Sequence, residues 1–148
     1  MRTALILACA LICSAINLAI IVVGVAAQSR AITVIDGDTV RSDGVTYRLV
    51  GFDAPETGSR ARCTAERRLG NTAKRRLIAL IAERHAVLAP LACSCPPGTH
   101  GTRACNYGRS CAVLLVDGED VAAIMIAEGL ARPYVCGATR CPRREGWC

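Results

Sequence analysis

Residues 31–50, Ala-Ile-Thr-Val-Ile-Asp-Gly-Asp-Thr-Val-Arg-Ser-Asp-Gly-Val-Thr-Tyr-Arg-Leu-Val, constrain the fold more than any other stretch of the chain. Two runs rich in β-branched residues are separated by Asp43-Gly44, and an Asp-Gly pair is what a two-residue hairpin loop prefers, because both central residues need positive φ. The segment therefore reads as a β-hairpin, and the turn fixes its register. Ser42 stands opposite Val45, Thr39 opposite Arg48, and Asp38 opposite Leu49. The second strand gives way within 51–57, Gly-Phe-Asp-Ala-Pro-Glu-Thr, where Pro55 has no amide donor and restrains Ala54.

Beyond it, Leu69, Ala73, Leu77 and Leu80/Ile81 recur at helical spacing, so an amphipathic helix is expected over about 65–84, with Gly70 weakening it slightly. Short apolar runs at 86–91 and 111–116 read as strands, the second ending in another Asp-Gly turn at Asp117-Gly118. A second helix is expected over about 120–128, stopped by Gly129. Residues 93–106 have loop composition, and the tail from Val135 to Cys148 carries Arg143-Arg144 and no periodicity. This order of elements predicts an α+β fold, a small curled antiparallel sheet capped by helices.

Composition matters chiefly through one segment. Of the first 27 residues 22 are apolar, and once they are set aside the remaining body has ordinary globular composition, enough for one domain of about 120 residues. No later run is long enough for a bilayer crossing, which excludes a multi-span membrane protein, and the composition disfavours disorder. The leader starts with Arg2, is uncharged from Ala4 to Ala27, and ends Val-Ala-Ala before Gln28. It reads either as a cleaved signal peptide or as an N-terminal membrane anchor. In both readings the body is exported, secreted or periplasmic. The domain organisation that follows is a leader over 1–27, a catalytic-type domain over 28–135 and a cysteine-rich tail over 136–148.

Ten cysteines are present and eight follow the leader, a density seen mainly in oxidised, exported domains. Eight thiols allow 105 pairings, and spacing does not choose among them. Zinc held by these cysteines with His85 and His100 is the minority reading, since the setting is oxidising and no paired Cys-x-x-Cys units occur. The formal net charge is +6, and Lys74 is the one lysine among 18 basic residues. An arginine-rich exported surface suits a polyanion, although Arg60, Arg62, Arg67, Arg68, Arg75 and Arg76 read first as the solvated face of the long helix and its approach.

Four features carry candidate chemistry: Asp36-Gly37-Asp38-Thr39, Arg48, Asp53-Ala54-Pro55-Glu56 and Tyr107-Gly108-Arg109. Hydrolysis of a phosphodiester needs charge neutralisation on the phosphoryl oxygens, an activated water, and positioning. Aspartates and a backbone carbonyl offer a hard-oxygen site for Ca²⁺ or Mg²⁺, arginines fork onto phosphate, and a glutamate orients or deprotonates water.

In their order and spacing these residues resemble the staphylococcal nuclease (thermonuclease) family. The resemblance runs over about 31–134 and includes Ile-Asp-Gly-Asp-Thr-Val, Tyr-Arg-Leu-Val-Gly-Phe-Asp-Ala-Pro-Glu-Thr, the helix start Ala-Glu-Arg-Arg-Leu-Gly-Asn-Thr-Ala, Tyr-Gly-Arg and Glu-Gly-Leu-Ala-Arg. It implies a five-stranded OB-type β-barrel with packed helices, a fold that often binds nucleic acid, and Ca²⁺-dependent hydrolysis of DNA and RNA with one divalent ion in the site. Carried over residue by residue, it makes Asp38 and Asp53 carboxylate metal ligands and the Ala54 carbonyl a backbone ligand. It makes Arg48 and Arg109 phosphate clamps and Glu56 the residue that handles the attacking water. Asp36 becomes a supporting acidic residue, and Tyr107 and Tyr134 line the nucleotide pocket. The implied partners are single- or double-stranded DNA and RNA, with the membrane met only through an uncleaved leader, and a monomer is expected.

Two features depart from that pattern. The loop over 58–63 is short, whereas the connection before Tyr107 is long and, like the tail, rich in cysteine. The alternative reading is a catalytically silent OB-type module that binds nucleic acid or a protein. One geometric requirement also follows: neighbouring strand positions face opposite sides, so Asp38 and Arg48 share a pocket only if a bulge or curvature breaks the alternation near Gly37 to Val40.

Overall fold

The computed structural model describes residues 31–148, and the leader lies outside the described residues. The hairpin forms as expected: β1 (Ile32–Asp36) pairs antiparallel with β2 (Thr39–Ser42), which pairs antiparallel with β3 (Val45–Leu49) in the register Ser42 to Val45 and Thr39 to Arg48. Asp43 and Gly44 both adopt positive φ, 49° and 78°, which is why an Asp-Gly pair stands there. β4 (Gly51–Asp53) follows at once and leaves the main sheet to pair with β8 (Arg132–Tyr134).

Helix α1 (Thr64–Glu83) packs across the sheet, and β5 (Ala86–Leu91) and β6 (Ser110–Val116) form a second antiparallel pair. The short β7 (Glu119–Asp120) leads directly into α2 (Val121–Ala127). β3 and β6 run parallel and join the two halves, giving the order β1-β2-β3-β6-β5 with β7 beside β6. Five strands thus share one curled path, as an OB-type barrel requires. Pro90 is accommodated because β5 is the edge of that path, where a missing donor costs no ladder bond on the outer side.

The core lies between the concave face of the sheet and the two helices. Val40, Leu49, Phe52, Leu114, Val116, Val121 and Met125 close on Leu77 and Leu80 of α1. Burying each such side chain contributes about 1.5–3 kcal/mol. The buried stripe of α1 is Glu66, Gly70, Ala73, Leu77 and Leu80, so its N-terminal half is not the expected Leu69 but a carboxylate and a glycine. Both face the loop after β4. The Asp120 side chain caps α2 by accepting from the Ala122 amide at 2.9 Å, and Gly129, at φ 69°, ends it. Among the described residues no helix is long and apolar enough to cross a membrane.

All eight described cysteines are paired: Cys63 with Cys148, Cys93 with Cys111, Cys95 with Cys105, and Cys136 with Cys141. Two pairs staple the long connection between β5 and β6. One holds a small loop in the tail, and one ties the end of the tail to the N-cap of α1.

Candidate active site

The hairpin brings Asp38 and Arg48 to one point despite its regular register. Asp38 precedes the first paired residue of β2, so strand alternation does not bind it, and the Leu49 amide donates to its carbonyl at 2.9 Å. The ladder irregularity falls on the facing strand, between Val34 and Asp36, opposite Val40 and Thr39. β1 therefore bends at the expected level, and Asp36 and Asp38 both turn inward, 7% and 5% exposed.

Arg48 is 7% exposed and lies at the centre of the cluster. Its Nη1 contacts Asp38 Oδ2 at 3.0 Å, and its Nη2 lies 3.5 Å from Asp53 Oδ1. It also donates to the Leu49 carbonyl at 2.6 Å and the Phe52 carbonyl at 2.8 Å, pinning the β3–β4 corner. The Ala54 amide donates to Asp38 Oδ2 at 3.0 Å, which seats the Ala54 backbone against that carboxylate. Burial pushes the Asp38 carboxyl up to about 6 against the opposing pull of Arg48. A carboxylate held this way in a dry site gains strongly from a nearby cation.

Glu56 lies at the rim. Its Oε2 accepts from Arg60 Nε at 2.8 Å, and its amide donates to Glu66 Oε1 at 3.4 Å. The other oxygen of Glu66 accepts from the Arg62 amide at 2.6 Å. Buried Glu66 thus fastens the loop that carries Glu56 to the first turn of α1. Gly70 completes the seat: a Cβ there would lie 2.4 Å from the Glu56 carbonyl oxygen, so the loop rests directly on the helix backbone. Arg60, read from sequence as part of a solvated face, instead contacts Asp36 Oδ2 at 2.5 Å as well as Glu56.

Arg109 joins the cluster through Thr39. Its Nη1 donates to Thr39 Oγ1 at 3.2 Å, and that hydroxyl donates to Asp38 Oδ1, also at 3.2 Å. Burial, and then the nearby Arg48 charge, lower the pKa of Arg109, although a guanidinium stays protonated. Tyr107 adopts φ 59° and stands 76% exposed, its ring 5.9 Å from the Arg109 guanidinium. Tyr134 sits on β8 and donates from its hydroxyl to the Pro142 carbonyl at 2.7 Å. Arg48, Tyr107, Arg109, Tyr134 and Arg140 all line one groove of about 630 Å³, floored by the β3–β4 corner.

Sequence reasoning did not single out Arg144. Its Nη1 donates to Glu56 Oε1 at 3.0 Å, its Nη2 lies 3.3 Å from Asp38 Oδ2, and the same nitrogen contacts Asp53 Oδ1. Burial works against its charge, but Asp38, Asp53 and Glu56 outweigh it and raise its pKa. Trp147 follows, its indole N–H donating to Asp53 Oδ2 at 3.3 Å. The only hint in the chain was Arg143-Arg144 in a segment without periodicity, and no local rule links that to a site a hundred residues away.

The donor set suits a hard divalent ion. Asp38, Asp53 and Glu56 all offer hard oxygen and are bridged by the Arg144 guanidinium, and Asp53 Oδ1 is buried and accepts no hydrogen bond of acceptable geometry, being met only by the two guanidinium groups. A curled OB-like sheet with a helix across it, bearing buried carboxylates paired to arginines that line a basic groove, is the architecture of nuclease-type domains. The family model described as Staphylococcal nuclease homologue matches residues 46–145, about two thirds of the chain, and the chain belongs to that family. The matched segment contains Arg48, Asp53, Glu56, Arg109 and Arg144, whereas Asp36 and Asp38 precede it. No curated protein matches the chain.

Proposed function

We propose that the protein is an exported, Ca²⁺-dependent nuclease that hydrolyses phosphodiester bonds of DNA and RNA. The observation that carries this reading is that Asp38, Asp53 and Glu56 gather around Arg48 and Arg144, two arginines that also line a groove with Tyr107, Arg109 and Tyr134. Asp38, Asp53 and the Ala54 carbonyl would hold the ion, which when bound supplies Lewis-acid stabilisation of charge on the phosphoryl oxygens. Arg48 and Arg109 neutralise and orient the phosphate, with Thr39 steering Arg109. Glu56, seated by Glu66 and Gly70, orients the attacking water and takes its proton. Tyr107 and Tyr134 present ring faces on which bases stack.

Four disulfides support an oxidising compartment and, with the apolar leader, export. We assign the leader to residues 1–27, the nuclease domain to 28–135 and the tail to 136–148, acting as a monomer. The second reading, a catalytically silent module that binds nucleic acid, draws on one observation: Arg144 already neutralises the carboxylates. Incubation with single-stranded DNA and RNA in millimolar Ca²⁺, then in excess chelator, separates the two. The nuclease reading expects cleavage that the chelator abolishes. Metal-independent retention of DNA without cleavage refutes it in favour of the silent module.

A further inference from the structure

We propose that Arg144 is a built-in competitor for the divalent-ion site, held in place by the Cys63–Cys148 disulfide, so that the cysteine-rich tail sets how tightly the carboxylates take an ion. This rests on the reading of Asp38 and Asp53 as the ion-holding carboxylates, with Glu56 beside them. The guanidinium touches both of them, and Glu56 as well, so it lies between their oxygens. Two cations cannot share that point without strong repulsion. With Arg144 in place, four arginines (Arg48, Arg60, Arg109, Arg144) face four carboxylates (Asp36, Asp38, Asp53, Glu56), and the cluster is close to neutral with no ion.

The tail is anchored so as to keep it there. Trp147 donates to the second oxygen of Asp53, so Arg144 and Trp147 together cover both. Arg132, the partner of Asp53 across the β4–β8 ladder, lies 3.9 Å over the Trp147 ring and donates to the Gly146 carbonyl at 2.9 Å. Cys148 is then bonded to Cys63, the N-cap of the helix on which the Glu56 loop rests. Arg144 is thereby confined on its C-terminal side, and on its N-terminal side the Pro142 carbonyl accepts from the Tyr134 hydroxyl at 2.7 Å. Its side chain is nevertheless 40% exposed, so it can swing into water without crossing the core. A tethered group of this kind lowers the apparent affinity for an ion to its intrinsic value multiplied by the fraction of molecules in which the group has withdrawn. Breaking the tether lets it withdraw more often.

Calorimetric titration of the intact, oxidised chain with Ca²⁺, without nucleic acid, tests this independently of cleavage. Arg144→Gln removes a partly exposed charge and should bind Ca²⁺ about tenfold tighter or more, the shift expected when the competing state holds about nine molecules in ten. The Cys63→Ser/Cys148→Ser pair, which leaves the other three disulfides intact, should shift the midpoint the same way by less. Equal or weaker Ca²⁺ binding by Arg144→Gln overturns the competition while leaving the site itself standing. Absence of Ca²⁺ binding in both wild type and Arg144→Gln overturns the site reading and the competition with it. Metal-free cleavage by wild type that disappears in Arg144→Gln also overturns it, since the arginine would then replace the ion.

Discussion

Substituting Gly70 by Ala sets helix propensity against the placement of Glu56. In isolation the change favours the helix by about 1 kcal/mol. In this protein the new Cβ would stand 2.4 Å from the Glu56 carbonyl oxygen, 2.7 Å from the Pro55 carbonyl oxygen and 2.9 Å from the Glu56 carbonyl carbon. A carbon settles against such an oxygen at about 3.3 Å or more, so helix and loop must part by about 1 Å. All three neighbours are backbone, so no rotamer change relieves the contact. Overpacking of this kind costs about 1–3 kcal/mol, and the Glu66 bond to the Glu56 amide stretches with it. The net expectation is a loss of about 1 kcal/mol and a fall in Tm of roughly 4 °C. The kinetic effect is larger, because a displacement of about 1 Å in a positioning group costs on the order of 100-fold. Circular-dichroism melts and steady-state cleavage of DNA at saturating Ca²⁺ measure the two effects. A variant with raised Tm and wild-type kcat refutes the argument that the loop rests on Gly70.

Glu56→Gln should lower kcat by about 10²–10⁴-fold in the same cleavage assay while the melting curve stays close to that of wild type, because the side chain lies at the rim. Arg48→Ala is expected to cost stability as well as turnover, about 3–5 kcal/mol in urea unfolding, because it leaves buried Asp38 and Asp53 with Arg144 as their one remaining arginine and strands two backbone carbonyls; an unchanged midpoint would show that the buried cluster relaxes freely. Glu66→Gln turns one of two amide-accepting oxygens into a donor and should lower the unfolding free energy by about 1.5–3 kcal/mol, with a parallel fall in kcat. Asp117 accepts from Arg84 Nε and the His85 amide, and these bonds hold its pKa below 3.8. Its stabilising contribution is therefore present above pH 3.8 and lost as the pH falls through the lower folded value. The Tm gap between wild type and Asp117→Asn should be widest near pH 7 and close as the pH falls below the usual carboxylate range; a gap independent of pH would exclude the charge as its source.

What the chain declares about itself is mostly local. Asp43-Gly44 and Asp117-Gly118 specify their turns by backbone chemistry alone, and the ends of α1 fall within a residue or so of the apolar periodicity. The bend that turns Asp36 and Asp38 inward was legible as a requirement, although it lies in β1 and not in the Gly37 to Val40 segment. Gly70 reads locally as a weak point in a helix, and only the loop lying on it shows why a side chain is excluded. Arg60 and Arg144 reach their partners across the fold, Arg144 from 106 positions away from Asp38, so no window of sequence contains both halves of the contact. The disulfides belong to the same class. Pairing follows from which strands and loops meet, and 105 arrangements are equivalent until they do.

The Cys93–Cys111 bond has a consequence for where the chain tolerates change. Cys111 pairs with Arg48 of β3 on one side and Leu91 of β5 on the other, so the bond grips the long connection at an interior strand and not at the fringe of the sheet. Inside that grip, Cys95–Cys105 closes a smaller ring whose hydrogen bonds, Thr99 to Pro96, Thr102 to Thr99 and Cys105 to Thr102, begin and end within it. Gly98 and Gly101 turn it with open space around them. The base of the ring lines the groove through Pro96 and Ala104, whereas its tip is open, so foreign residues placed between Gly98 and Gly101 would be displayed on a doubly anchored base away from the barrel, a position suited to a reporter, an epitope or a new recognition loop.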